Sequence, residues 1–143
     1  MRNTYSPWRD LANRPQVDLV WRELPEGILG QYEHHLLRIT LDPRMPRRQS
    51  RSVLAHELAH ADARDVLSVC ADANRRQERR ADHKAARRLI HIDDLADVMV
   101  SCDNHLSAMA VELHVSDALL RIRRELLSAA EKYRLWHRLA EAS

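Results

Sequence analysis

Residues 53–60 read VLAHELAH, and this stretch decides both the expected fold and the expected chemistry. On an α-helix, side chains four residues apart lie on one face, so His56 and His60 can direct two imidazoles at one ion. Glu57 lies about 100° around the helix from His56, within reach of a water on that ion. The flanking residues are uncharged, which predicts a buried helix, and burying these three polar side chains without a metal would be costly. We therefore predict a metal-binding helix here rather than a chance arrangement of histidines.

Zinc is the ion that this HExxH spacing indicates. Zinc lowers the pKa of a water, and the neighbouring glutamate takes the proton as that water attacks a peptide carbonyl. The motif thus predicts a zinc endopeptidase with Glu57 as general base and His56 and His60 as metal ligands. Hydrolytic zinc sites hold three protein ligands and keep one position open, so a third ligand is expected. It is not a third histidine of the extended motif, because that position is Val66.

A second predicted helix, from about residue 75 to 90, offers the third ligand. The stripe that should pack inward is small and apolar except for Glu78 and Asp82, which lie one turn apart. We predict that Glu78 ligates zinc, with Asp82 or His83 as substitutes. In the main hypothesis Asp82 instead accepts a hydrogen bond from the outer nitrogen of a ligating histidine. The alternative is that both carboxylates pair with neighbouring arginines on a solvated helix.

The chain before the metal helix has the pattern of strands. Apolar residues alternate over 17–24, and again on both sides of a bend near 33–35, which predicts a small antiparallel sheet. Helical periodicity follows from residue 50 onward, with Ser50 or Ser52 as the first cap. The expected fold class is therefore α+β. Three polar residues lie at or next to the bend: Tyr32, His34 and His35. They are either contacts for the substrate or the transition state, or ordinary surface residues.

The HELAH segment, the Glu78–Asp82 pair and the AARRLI that follows resemble the ImmA/IrrE family of metallopeptidases. The strand segment with Gly30, Tyr32 and ITLDP is also similar, so the resemblance covers about residues 15–95. It implies a minimal thermolysin-like (gluzincin) core in which His56, His60 and Glu78 bind Zn²⁺ and Glu57 is the base. It also implies cleavage of a transcriptional repressor, of the phage or mobile-element immunity type, in the cytoplasm of a bacterial or phage-infected cell.

The C-terminal segment is expected to be a helical module, residues 101–143, packed on a catalytic core of residues 1–100. Residues 105–126 have the pattern of a helix-turn-helix, with the turn near His114 and Ser116 capping the next helix. Either that helix contacts DNA or the segment packs as a helical hairpin that recognises the protein substrate. Three basic residues are expected on its exposed side: Arg121, Arg123 and Arg124.

Composition limits the remaining classes of function. The 143 residues carry a formal net charge of only +2, which argues against a chain built purely for nucleic-acid binding. No apolar run approaches the roughly 20 residues that cross a bilayer, so no membrane partner is expected. The two cysteines fit no metal spacing. The three tryptophans are expected to pack in the core or at hinges: Trp8, Trp21 and Trp136.

Two rival functions remain beside the peptidase. One is a non-catalytic, zinc-stabilised regulator that binds a repressor or DNA through the helix-turn-helix-like segment. The other is a DNA-binding protein whose zinc is structural, which the glutamate of the HExxH motif disfavours. The expected partner of the peptidase is a protein substrate, a helix-turn-helix repressor, whose backbone would add as a strand beside residues 28–34.

Overall fold

A computed structural model describes residues 4–143 of the chain. This part of the chain forms three short strands and seven α-helices. The strands are β1 (Asp18–Trp21), β2 (Gly30–Glu33) and β3 (Arg38–Leu41). The helices are α1 (Pro7–Ala12), α2 (Arg47–Ala63), α3 (Ala71–Leu89), α4 (Ile92–Ser101), α5 (Leu106–Glu112), α6 (Asp117–Glu125) and α7 (Ala129–Glu141). The α+β class predicted from the sequence is confirmed.

The sheet has the strand order β1-β3-β2 and is mixed, so the prediction of an antiparallel sheet is wrong for one of its two strand pairs. β2 and β3 form an antiparallel hairpin around a 3₁₀ turn at His34–Leu36, which ends at Leu37 with a left-handed φ of 47°. β1 pairs with the other edge of β3 and runs parallel to it. Alternation of apolar residues reports strands but not their partners, which is why the parallel pair escaped prediction.

Helix α2 lies between the two parts of the fold. Its Leu54 and Leu58 pack against Ile39 and Leu41 of the sheet, whereas Ala55 joins the apolar cluster of the later helices. Apolar burial on two sides explains why nearly every residue around the HExxH motif is uncharged. Helix α2 is thereby packed on both sides, which fixes the direction of its remaining face, where His56 and His60 lie.

The predicted cap of α2 is wrong. The helix begins at Arg47 after the N-cap Pro46, which places no side chain on the free amides. Ser50 donates from its hydroxyl to the Arg47 carbonyl at 3.0 Å. The buried Ser52 hydroxyl accepts from the Ser116 amide at 2.9 Å and so ties α2 to the turn before α6.

Helices α5 and α6 are joined by the turn predicted at residues 114–116. His114 adopts a left-handed φ of 56°, and the Ser116 hydroxyl caps α6 by accepting from the Leu119 amide at 3.2 Å. The expected exposure of Arg123 is wrong: it is 3% exposed, donating to the Ile90 carbonyl and to Glu131. The division into a core and a module stays a prediction.

Of the two expectations for the tryptophans, core or hinge packing, the core alternative is wrong. Trp8 and Trp21 are 38% and 48% exposed and stack on each other with ring centroids 6.0 Å apart, and Trp136 is 64% exposed. Within residues 4–143, the helices are all too short or too polar to span a bilayer.

Candidate metal centre

Helices α2 and α3 bring three candidate ligand atoms to one point. The Nε2 atoms of His56 and His60 lie 3.0 Å apart, one helical turn from each other on α2. The Glu78 carboxylate reaches over from α3, with Oε2 3.0 Å from His56 Nε2 and Oε1 2.9 Å from His60 Nε2. The three residues predicted as metal ligands therefore form one cluster.

The outer nitrogen of each imidazole is held by a carboxylate. His56 Nδ1 lies 2.7 Å from Asp82 Oδ1, the contact predicted for Asp82 from the sequence. His60 Nδ1 lies 2.8 Å from Asp65 Oδ2, and Asp65 is paired in turn with Arg80 of α3. Carboxylates in this position fix the tautomer and turn the other nitrogen, Nε2, toward a metal.

Sequence reasoning missed Asp65. It follows α2 by two residues, and it comes back to His60 because Arg64 adopts a left-handed φ of 54° that reverses the chain. The Asp65 amide also donates to the His60 carbonyl at 3.0 Å. In the sequence, the only indication that Asp65 contacts His60 is its position five residues after that histidine. This spacing alone does not identify a contact.

The electrostatics of the cluster follow from these contacts. Burial alone would lower the pKa of His56, but hydrogen bonds to Asp82 and Glu78 outweigh it and raise the pKa to about 10. Hydrogen bonds from both histidines hold the pKa of Glu78 well below its usual range. Two imidazoles and three carboxylates thus form a charged network at the mouth of a cleft, with the Glu78 side chain 61% exposed.

Glu57 lies beside the cluster and beneath strand β2. It is only 5% exposed, and burial raises the pKa of its carboxyl to about 7. Gly30 of β2 passes so close that a Cβ there would meet Val53 Cγ1 at 2.5 Å and Glu57 Oε1 at 3.0 Å. The strand can therefore cover Glu57 only because residue 30 is glycine.

The donor set fits a zinc ion. Ligand atoms around tetrahedral zinc lie about 3.3 Å apart, given metal–ligand distances of about 2.0–2.1 Å. The observed separations of 2.9–3.0 Å are slightly tighter, as expected for atoms that hydrogen-bond to each other. Two imidazole nitrogens and one carboxylate oxygen are the ligand set of one class of catalytic zinc site. His56, His60 and Glu78 would hold the ion.

A groove runs past the cluster on both sides, and β2 forms one wall of it. One end, of about 520 Å³, is lined by Ile28, Val53 and residues of α6. The other end, of about 570 Å³, includes the three bend residues that the sequence singled out: Tyr32, His34 and His35. Tyr32 Oη lies 2.8 Å from His34 Nδ1, whereas His35 is exposed. An extended chain in this groove would cross the candidate metal centre.

A two-histidine, one-carboxylate cluster with a buried glutamate beside an open groove defines a site of the metallopeptidase type. The chain belongs to the M78 peptidase family: the family model described as an IrrE N-terminal-like domain matches residues 25–125. This match confirms the resemblance to the ImmA/IrrE family, and the family implies a metal, typically zinc. No curated protein and no solved structure matches the chain significantly.

Proposed function

We propose that the protein is a zinc-dependent endopeptidase that cleaves a transcriptional repressor of the helix-turn-helix type in the bacterial cytoplasm and so relieves repression. The observation that carries the proposal is the arrangement around α2. Three ligand atoms converge, both imidazoles are oriented from behind by Asp65 and Asp82, and Glu57 is buried at the edge of an open groove.

Each residue has a defined part in the proposed reaction. A bound zinc ion would polarise the scissile carbonyl and acidify a water. Glu57 accepts the proton of the attacking water and later delivers it to the leaving amine. Burial raises the pKa of its carboxyl above the usual range, which favours a group that takes up the proton and later returns it. In the tautomer in which Tyr32 donates to Nδ1, His34 carries its proton on Nε2 and can donate it to a developing oxyanion.

The substrate backbone is proposed to add as a strand to the open edge of β2. The Asp42 amide donates to the Leu29 carbonyl at 2.9 Å, which makes these two residues a hydrogen-bonded pair of the hairpin. Because such pairs alternate along an antiparallel ladder, Gln31 also turns its backbone groups toward β3. Gly30 and Tyr32 therefore point their N–H and C=O groups at the open edge, where a substrate strand can pair with them.

This register identifies the position at which a proline substitution removes an outward N–H and so tests strand addition. Proline at Gln31 would break the hairpin itself, whereas Tyr32→Pro removes one outward N–H and leaves the β3 ladder intact. The control is Tyr32→Ala, which also removes the tyrosine side chain but keeps the backbone N–H. We expect Tyr32→Pro to cleave the substrate less than Tyr32→Ala does, and both variants to retain zinc. Equal cleavage by the two variants would exclude pairing at this position.

Substrate recognition by the helical segment is favoured over DNA contact. Ser116, Leu119 and Ile122 of the α6 region line the groove opposite β2, next to His56 and Glu57. Arg123, one of the three arginines considered as DNA contacts, is buried in an ion pair with Glu131. A protein chain lying in the groove would therefore contact α6 directly, which supports a protein partner.

The test is a pair of variants assayed for zinc and for cleavage. Glu78→Ala is expected to lose most bound zinc, measured by mass spectrometry of metals in purified protein. Glu57→Gln is expected to keep its zinc and to lose cleavage of any helix-turn-helix repressor that the wild-type protein cleaves, followed by electrophoresis. Retained zinc in Glu78→Ala would contradict the ligand assignment.

The same Glu57→Gln variant decides between the peptidase and the non-catalytic regulator. If it relieves repression of a reporter gene as well as the wild-type protein does, the function is binding and the peptidase proposal fails. Loss of derepression, with the variant still folded and loaded with zinc, supports proteolysis.

A further inference from the structure

A surface cavity lies at the beginning of α2, and none of its lining residues belongs to the candidate metal centre. Trp8 of α1 and Trp21 at the end of β1 stack with an interplanar angle of 22° and leave much of their surface in solvent. They border a cavity of about 640 Å³ whose other lining residues are polar or basic: Arg47, Arg48, Ser50, Arg51 and His114. We call this surface the tryptophan platform.

The charge of the platform is positive and incompletely neutralised. Within the described part of the chain, no carboxylate lines the cavity, although Arg48 is paired with Asp117 at 2.9 Å. Half-buried Arg51 donates to the carbonyl oxygens of His114, Leu113 and Tyr5. Exposed Arg47 has no side-chain partner among residues 4–143. Two of the three guanidinium groups are therefore left without a carboxylate from these residues.

The position of these arginines is unfavourable for the isolated protein. The N-terminal end of a helix carries a partial positive charge, which favours acidic side chains and anions. The first turn of α2 holds no acidic residue and no side-chain cap, but does hold Arg47 and Arg48. A bound anion would relieve the repulsion, because the arginines and the free amides would share it.

We propose that the tryptophan platform binds a nucleotide, with the base stacked on a tryptophan ring and the phosphate held by Arg47 and Arg51. Aromatic rings beside cationic side chains are the combination that binds single-stranded nucleic acids, because every base has a face that can stack. A free nucleotide and the end of a single strand present the same chemistry. The inference does not depend on the proposed peptidase activity.

Tryptophan fluorescence of the zinc-loaded full-length protein tests the proposal. The background is Trp136→Leu, which removes the one tryptophan outside the platform, so the remaining signal comes from Trp8 and Trp21. We expect quenching by the oligonucleotide (dT)10. Quenching by AMP as well would assign the site to free nucleotides, and quenching by (dT)10 alone to single strands; either result supports the platform.

Variants separate the platform from general electrostatic attraction. Trp8→Leu and Trp21→Leu are each expected to weaken binding of labelled (dT)10 at least fivefold in an anisotropy assay. Arg47→Gln should weaken it and reduce the salt dependence by about one phosphate contact. Arg79→Gln is the matched control, because Arg79 is an exposed arginine on α3 and does not line the platform cavity. The affinity of this variant for (dT)10 should equal that of the wild-type protein.

Three outcomes would overturn the proposal. The first is no quenching by either ligand at millimolar concentration. The second is equal loss of affinity in Arg79→Gln and Arg47→Gln, which would show diffuse attraction to the basic surface. The third is binding that survives both Trp8→Leu and Trp21→Leu in protein whose thermal midpoint is unchanged.

Discussion

Replacing Gly30 by alanine tests how closely strand β2 packs on helix α2. A Cβ at residue 30 would lie 2.5 Å from Val53 Cγ1, 3.0 Å from Glu57 Oε1 and 3.2 Å from Glu57 Cγ. Carbon atoms in contact lie about 3.5–4.0 Å apart, so β2 and α2 must separate by about 1 Å or Val53 must leave its rotamer. A β-branched side chain on a helix has one strongly preferred rotamer, so neither adjustment is free.

We expect Gly30→Ala to lower the free energy of unfolding by about 2 kcal/mol, the usual cost of overpacking. For a domain of this size the thermal midpoint would fall by roughly 4–8 °C. Val53→Ala alone should cost about 1 kcal/mol, since Val53 is half-buried. The double variant should recover part of the loss, with a favourable coupling of about 1–2 kcal/mol in urea denaturation.

Catalysis should respond differently from stability. The contacts to Glu57 remain in the double variant, so the carboxylate stays displaced by a few tenths of an ångström. We expect the double variant to regain stability but not full cleavage, because small misplacements of a catalytic group reduce the rate strongly.

Gly27→Ala is the control. Gly27 has a left-handed φ of 84°, and a Cβ at this residue would meet nothing within 4 Å, so the cost of the substitution comes from the backbone. Val53→Ala should not rescue it. If Gly30→Ala is as stable as the wild type, or if Val53→Ala rescues both glycine variants equally, the close seating of β2 on α2 is wrong.

Three further predictions concern the carboxylates and the metal. Asp65→Asn should weaken zinc binding about 10–100-fold without displacing Glu57, because His60 loses the carboxylate that orients it. Competition with a chelating dye measures the zinc affinity, and an unchanged affinity would show that Asp65 does not orient His60. Glu131→Gln should destabilise the protein by about 3 kcal/mol at pH 7, because buried Arg123 loses its partner. Since Arg123 lowers the pKa of Glu131, this difference should persist above about pH 4.5 and disappear as the pH falls further; a constant difference down to pH 3 would refute the pairing. A chelator should lower the thermal midpoint of zinc-loaded protein but not that of Glu78→Ala, and equal shifts would place the metal elsewhere.

The parts of the site that the sequence predicted are those fixed by helical geometry. His56 and His60 had to share a face once the helix was recognised, and the polar positions of the following helix singled out Glu78 and Asp82. The α+β class followed in the same way from a change in apolar periodicity near residue 50. Each of these inferences needs only the spacing of residues within one element.

The features that were missed depend on contacts between elements or on chain reversals. Asp65 reaches His60 only through the left-handed residue Arg64, and nothing local requires a non-glycine residue to adopt that conformation. A helical projection of α6 predicts that Arg123 is exposed. It is buried because it contacts the Ile90 carbonyl and Glu131, which belong to other elements of the fold. The strand order depends likewise on which edge of β3 remains free for β1.

Helix α2 links these features into one rigid cleft. One face packs on β3 and supports β2 through the close approach at Gly30, and another face enters the core of the later helices through Ala55. Near its beginning, Ser52 holds the turn before α6, so the groove wall formed by α6 is fixed to the same helix as His56. The relative positions of strand β2, the candidate ligand atoms and the opposite wall are therefore set by one helix. A cleft built in this way is formed before substrate arrives, and binding energy need not be used to assemble it.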